Sequence, residues 1–261
     1  MKKWLCLCVG LWGTLVWCDA GTYELRATPH GPLHCYWAKP AELSLHWKGS
    51  GEGPLRTFEA VEADLLRRGK RPVFLMNAGI FEPGGIPSGL HVEGGKEVLP
   101  LTLAEGKGNF FLKPNGVFFV EGERARVMRS EAYALSKATP RFALQSGPLL
   151  LFQGKIHPQF RKKSESKLHR NGVGILPDGR VLFLMTDLRK TRVNLYTFAQ
   201  LFRSFGCQEA LFLDGDLSRM WVDPESQAPG TIPEEGSREL APGVPAGNHF
   251  GAVLAATVSA E

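Results

Sequence analysis

Three apolar runs in this chain stop abruptly at a polar side chain followed by small residues. They are Val73–Met76 into Asn77-Ala78-Gly79, Val181–Thr186 into Asp187, and Leu211–Leu213 into Asp214-Gly215-Asp216. A carboxylate or amide at the end of a buried strand is held rigidly, and ligands of open sheets with helices on their faces bind beyond the strands' carboxyl ends. Asp187 and Asp214 are therefore the candidate catalytic residues. Two carboxylates suffice for glycoside hydrolysis, one as acid or base and the other as nucleophile or water activator. The competing reading of Asp214-Gly215 is an Asx turn, and Asp216 reads equally as a solvated turn residue.

Other polar residues join these as binding candidates. Asn77 is placed to hydrogen-bond a substrate, with Gly79 allowing close backbone approach; the alternative is a plain turn. Gln145-Ser146-Gly147-Pro148 precedes an apolar run. Ser146 lacks both the G-x-S-x-G elbow and an evident His relay, whereas backbone amides near Gly147 suit an anion. Arg170 can grip phosphate with its planar fork, or be one more charge in a basic loop. His91, His157, His169 and His249 stand singly. None has a partner at metal-binding spacing, so no metal and no cofactor are expected. A metal-dependent phosphodiesterase built on Asp214 and Asp216 would lack the His and Asp clusters of two-metal sites.

The elements that carry these residues are short. Residues 22–48 alternate as strands do, with Leu43, Leu45 and Trp47 on one face. Thr57 caps a helix to Arg68 whose stripe is Phe58, Val61, Leu65 and Leu66, and Gly69 stops it. Thr197-Phe198-Ala199-Gln200 reads as a capping box opening a second helix, with Phe198, Leu201, Phe202 and Phe205 as its core stripe and Gly206 at its end. Further strands are expected at 110–112, 117–120, 149–152, 173–176, 181–186, 210–213 and 250–258, with Pro177-Asp178-Gly179 making a hairpin. Residues 155–171 read as a basic, mobile loop and 223–246 as a long exposed one. Strands outnumber helices, giving an α+β domain with a mixed sheet and flanking helices.

Met1-Lys2-Lys3, a run of about 14 apolar residues to Trp17, and Cys18-Asp19-Ala20 have the layout of a signal peptide, too short to span a bilayer comfortably. The expected boundaries are 1–20 for the signal and 21–261 for one domain. A lipid tether at Cys18 fits less well, because bulky Trp17 precedes it. Outside that segment only Cys35 and Cys207 remain, either paired or buried as free thiols. The net charge of +5 is mild. No basic stripe interleaved with aromatics suggests nucleic acid.

Taken together, NAGIFEPGGIPSGLHVEGG at 77–95, GNFFLKPNGVFFV at 108–120, QSGPLLLFQGKIHPQF at 145–160, RNGVGILPDGRVLFLMTD at 170–187 and ALFLDGD at 210–216 resemble the phosphodiester glycosidase family, from about residue 70 onward. The likeness is to its short exported bacterial branch. It implies a hydrolase that releases a sugar from a phosphodiester. The family's polar positions fall on Asn77, Gln145, Ser146, Arg170, Asp187, Asp214 and Gly215. Many members carry a second Gly where this chain has Asp216. The implied roles are Arg170 on the phosphate, Asp214 or Asp187 activating water or stabilising the sugar cation, and Asn77 and Gln145 orienting the sugar. A carbohydrate phosphodiester partner and a secreted or periplasmic location follow from this reading. The rival reading is a non-catalytic envelope module that holds a sugar or phosphate polymer.

Overall fold

The structure, a computed structural model, describes residues 21–49, 53–224 and 249–260. The expected signal segment, and the expected 223–246 loop beyond its first two residues, lie outside them. No helix among the described residues is long and apolar enough to cross a membrane.

Three sheets dominate. The largest has the strand order Thr22–Thr28, Gly31–Ala38, Val181–Thr186, Asn171–Ile175, Glu209–Asp214, Leu149–Phe152, Lys155–Ile156. A five-stranded sheet runs Arg124–Arg129, Gly116–Glu121, Phe142–Ser146, His91–Glu93, Lys96–Leu99. A four-stranded sheet runs Met220–Val222, Lys70–Asn77, Val253–Ser259, Leu43–His46. Helices α1 (Phe58–Arg67), α2 (Ser130–Leu135) and α3 (Leu195–Ser204) flank them.

The α+β class holds, and within it every named strand pair is antiparallel. The connection through α3 explains why. It carries the chain from Val181–Thr186 to Glu209–Asp214, but these two parallel strands lie on opposite sides of Asn171–Ile175 and never pair.

The central core lies between the three sheets. Phe183, Val173 and Leu211 meet Phe118, Phe142 and Leu144 from the second sheet and Phe74, Met76 and Leu254 from the third. The outer faces are covered too. Leu75, Val253 and Ala255 pack under α1, and Leu182, Leu184, Ala210 and Phe212 pack under α3. A strand covered on both faces has no polar alternation to show, which is why VFLM and VLFLM read as unbroken apolar runs. Helix α3 sits very close. A Cβ at Gly174 would come within 2.6 Å of Phe202 Cδ1, so glycine in this strand makes room for a ring. Burying each of Phe198 and Phe202 contributes roughly 2–3 kcal/mol.

Thr57 caps α1 through Ala60 N at 3.2 Å, and Gly69 with φ +68° ends it. The cap of α3 is Asn194, not Thr197. Asn194 Oδ1 accepts from Thr197 N at 2.9 Å, so the helix begins three residues earlier than the capping-box pattern suggested. Residues Asn109–Phe111 form a 3-10 turn, not a strand, because Asn115 Nδ2 takes the Phe110 carbonyl at 2.9 Å and removes it from ladder pairing. Cys35 and Cys207 are free, buried thiols in the cluster beneath α3. The loop after Ile156 is irregular, as expected, but it is tied down at several points.

Candidate active site

Two of the three strand ends converge. The Lys70–Asn77 strand of the four-stranded sheet and the Glu209–Asp214 strand of the large sheet bring Asn77 Nδ2 to 2.8 Å from Asp214 Oδ2. Asn77 is buried, and both its amide oxygen and its amide nitrogen are engaged. Its Oδ1 accepts from Asn171 Nδ2 and from Arg219 N, each at 2.8 Å, and Asn171 Nδ2 also reaches the Asn77 carbonyl at 3.1 Å. A buried amide so fully used is fixed in orientation, and its donor edge can only face the carboxylate.

Asn171 stands directly opposite Asp214 in the ladder, and the register slips by one residue before Gly172, which pairs with Phe212. Leu213 continues the alternation that puts Leu211 in the central core and Phe212 under α3, and the slip lies at the sheet's end, beside Asp214. Gly215 N donates to Asp214 Oδ1 at 2.7 Å. Asp214 remains partly exposed. Its surroundings raise its pKa to about 6, with burial as the main cause and Asp216 adding to it, against the Gly215 and Asn77 hydrogen bonds and the Arg219 charge. The result is a carboxylate that is ionised at neutral pH yet basic enough to take a proton, the property a general base needs.

Arg219 is the cation of this site and was not singled out from the sequence. It is buried, its Nη1 donates to the Ser218 carbonyl at 2.6 Å, and Nε has no hydrogen-bond partner among the described residues. Asn171 also escaped notice, since Asn-Gly before a strand reads as a turn. A polar residue directly before the run VGI was the one available signal.

The other candidates take different places. Asp216 is exposed and accepts from His169 N at 3.1 Å, closing the turn beside Asp214. Gln145 does not join the cluster. Its Oε1 accepts from Leu90 N and Thr102 N, and its Nε2 donates to Thr102 O and Ser130 Oγ, so it ties a loop to the five-stranded sheet with every polar atom used. Ser146 Oγ is buried and donates to the Leu213 carbonyl at 3.2 Å, tying the five-stranded sheet to the Glu209–Asp214 strand.

Arg170 is buried beneath the 161–168 segment. Its Nε donates to the Val193 carbonyl at 2.7 Å and its Nη2 to the Ser166 carbonyl at 3.0 Å, while Nη1 lacks a partner among the described residues. Burial pulls its pKa down to about 10, which leaves it charged at neutral pH. Two of its donors are committed to backbone carbonyls, one in this segment and one at Val193, so its clearest work is to brace the two.

Asp187 belongs to a separate cluster. Its Oδ1 accepts from Arg189 N and Lys190 N, capping a turn, and its Oδ2 lies 3.5 Å from His34 Nε2. The His34 contact leads the causes that hold its pKa below the usual carboxylate range. Its strand is separated from that of Asp214 by the Asn171–Ile175 strand, two spacings or about 10 Å across the sheet. Asp187 and Asp214 share no hydrogen bond and titrate in opposite directions. Among the described residues, no three His, Cys, Asp or Glu side chains gather in an arrangement that could hold a metal ion.

A family model described as phosphodiester glycosidase matches residues 70–244, a span containing Asn77, Asn171, Asp214 and Arg219. The chain belongs to the phosphodiester glycosidase family. The protein YigE of Escherichia coli strain K12 is 35% identical over 181 residues, covering 69% of each chain. Among solved structures, the catalytic domain of zebrafish N-acetylglucosamine-1-phosphodiester alpha-N-acetylglucosaminidase, auto-inhibited by its pro-peptide, aligns with a TM-score of 0.58 at 15% identity, over 90% of this chain and 81% of that one. A protein of Burkholderia pseudomallei aligns with a TM-score of 0.50 at 14% identity, over 86% and 74%. At these identities the two structures speak for a shared fold.

Proposed function

We propose that this domain is an exported hydrolase that cleaves the glycosidic bond of a sugar-1-phosphodiester or a related envelope glycan, with Asp214 as its general base. The observation that carries the proposal is the Asp214 carboxylate itself. It sits partly exposed at a strand end, gripped by Asn77 and Gly215 N, with its pKa raised to about 6. The lysine-headed apolar N-terminus supports export.

In this reading Asp214 takes a proton from water as the water's oxygen bonds to the anomeric carbon. The bond from that carbon to the phosphate oxygen breaks, and its electron pair leaves with the phosphomonoester. Such a leaving group needs little protonation, since even its second pKa is about 6, so one carboxylate is sufficient and Asp187 is left out of the chemistry. The Arg219 charge stabilises the departing phosphate. Asn77 is a positioning residue acting through Asp214.

The test is to incubate the protein with glycosyl-1-phosphodiesters and assay both products. Free sugar with an intact phosphomonoester is expected, and Asp214→Asn should lower kcat by roughly 10²–10⁴-fold. A folded Asp214→Asn variant with unchanged turnover, or release of sugar phosphate in place of free sugar, would sink the proposal.

A further inference from the structure

The segment after Ile156 is held from beneath by buried polar groups. Asn194 Nδ2 donates to the carbonyls of Lys162 and Ser164 at 3.1 and 3.0 Å. Arg170 bridges Ser166 and Val193. Leu168 and Val193 exchange backbone hydrogen bonds of 3.2 and 3.1 Å. These contacts pack residues 161–168 against the 187–193 turn.

What they pack together is mostly charge of one sign. Arg161, Lys162, Lys163 and Lys167 are exposed on one segment, and Arg189, Lys190 and Arg192 on the other. Glu165 and Asp187 are the two acids within 161–168 and 187–193, an excess of five positive charges, as many as the net charge of the whole chain. None of the seven cations forms an ion pair among the described residues. Like charges repel at this range, so the ties beneath hold an arrangement that electrostatics alone would spread apart.

The shelf is continuous with the candidate active site. His169 follows its first segment directly and donates its backbone N–H to Asp216, two residues from Asp214. The shelf segments themselves expose no large apolar side chain, and at their junction with the site Leu217, beside Asp216, is a single exposed leucine and not an apolar face. Interfacial membrane binding needs an apolar face as well as cations, so the surface chemistry fits a soluble polyanion better than a lipid surface.

We infer that this basic shelf binds a linear polyanion bearing several phosphate or phosphodiester groups, which runs from the Asp214 site across the two loops. Taking that polyanion as the substrate rests on the hydrolase reading above; the binding site itself does not. A single phosphodiester would occupy only the Asp214 end, whereas successive phosphates would engage successive cations. Each exposed contact is weak and screened by salt, and their number supplies the selectivity.

The experiment compares binding of inorganic polyphosphate and inorganic orthophosphate to the full chain and to the combined Lys162→Ala, Lys163→Ala, Lys190→Ala and Arg192→Ala variant. The Asn194 tie to Lys162 uses the backbone carbonyl, which alanine keeps. Wild type should prefer polyphosphate at least tenfold, with affinity falling steeply as salt rises. The shelf variant should lose this preference. Polyphosphate binding unchanged in the shelf variant, or no preference in wild type, overturns the inference. So does shelf-dependent binding to vesicles of phosphatidylglycerol and phosphatidylcholine without binding to polyphosphate, which would mark a membrane surface. Retained polyphosphate binding with no cleavage of any glycosyl phosphodiester would remove the hydrolase reading and leave the shelf standing. Cleavage with no shelf-dependent binding would do the reverse.

Discussion

Replacing Asn77 by Asp isolates the control of Asp214. The substitution keeps the shape of the side chain and an oxygen to accept from Asn171 Nδ2 and Arg219 N. It removes the one donor aimed at Asp214 Oδ2 and puts an oxygen in its place, 2.8 Å away in the present geometry. Two full charges at that separation repel by about 6 kcal/mol at an effective dielectric of 20, and by about 1.5 kcal/mol even at that of water. One pKa unit corresponds to about 1.4 kcal/mol, so the lower figure already implies a shift of about one unit. The pair should hold one proton between them and titrate as a unit, with its upper apparent pKa above about 7.

The sign for stability follows. An Asp whose folded pKa lies above its unfolded value stabilises at low pH and loses that contribution as pH rises through the folded pKa. Asn77→Asp should therefore unfold at a lower temperature than wild type at pH 8 and show a much smaller deficit near pH 4. The carboxyl carbons, followed by NMR against pH, measure the titration without reference to activity. The rising limb of the pH–rate profile should move up with it. A carboxyl titration still centred near 6 in a variant that folds would refute the assignment of Asn77 as the group holding Asp214.

Three further outcomes separate the site from its supports. Asp187→Asn should leave kcat within about threefold while lowering thermal stability by about 1 kcal/mol, because the change weakens the His34 contact and the turn cap; a loss of kcat beyond about a hundredfold at full folding would return Asp187 to the chemistry. Gly89→Ala should destabilise by more than about 2 kcal/mol, since Gly89 has φ +73° and a Cβ there would overlap Gln145 Oε1; chemical denaturation measures it. Arg170→Met should open the 161–168 segment to limited proteolysis ahead of the rest of the fold, read by mapping the first cleavage sites.

The strands were legible from the sequence where both faces are buried, because Val73–Met76 and Val181–Thr186 then show no polar interruption. Residues Arg124–Arg129 were less so: the strand alternates buried and exposed residues on an outer edge, and its three arginines mask the pattern. The start of α3 was displaced because Thr197 and Gln200 match a capping box, whereas Asn194 caps one turn earlier by accepting from the Thr197 amide, the N3 position of the actual helix. At the site, Asp214 and Asn77 could be picked as strand ends, but their hydrogen bond is a contact across 137 residues between two sheets, which no local pattern records. Gln145 and Arg170 show the converse, since Gln145 bonds to Leu90, Thr102 and Ser130 and Arg170 to Val193 and Ser166. Residue type marks a polar side chain as useful, and only its partners reveal whether its hydrogen bonds are already committed inside the protein. For Arg219, a lone arginine after a serine carries no signal of any kind.

The strand ending at Asn77 lies between Met220–Val222 and Val253–Ser259, and Val253 pairs with Asn77 itself. The residue that holds Asp214 is thus fixed in place by nearly the last described part of the chain. Every polar group of the Asn77–Asp214 pair is in hand once residue 219 has been made, yet the pair is held only after Val253–Ser259 docks against Lys70–Asn77. The order of assembly therefore puts the alignment of the two side chains after the making of both.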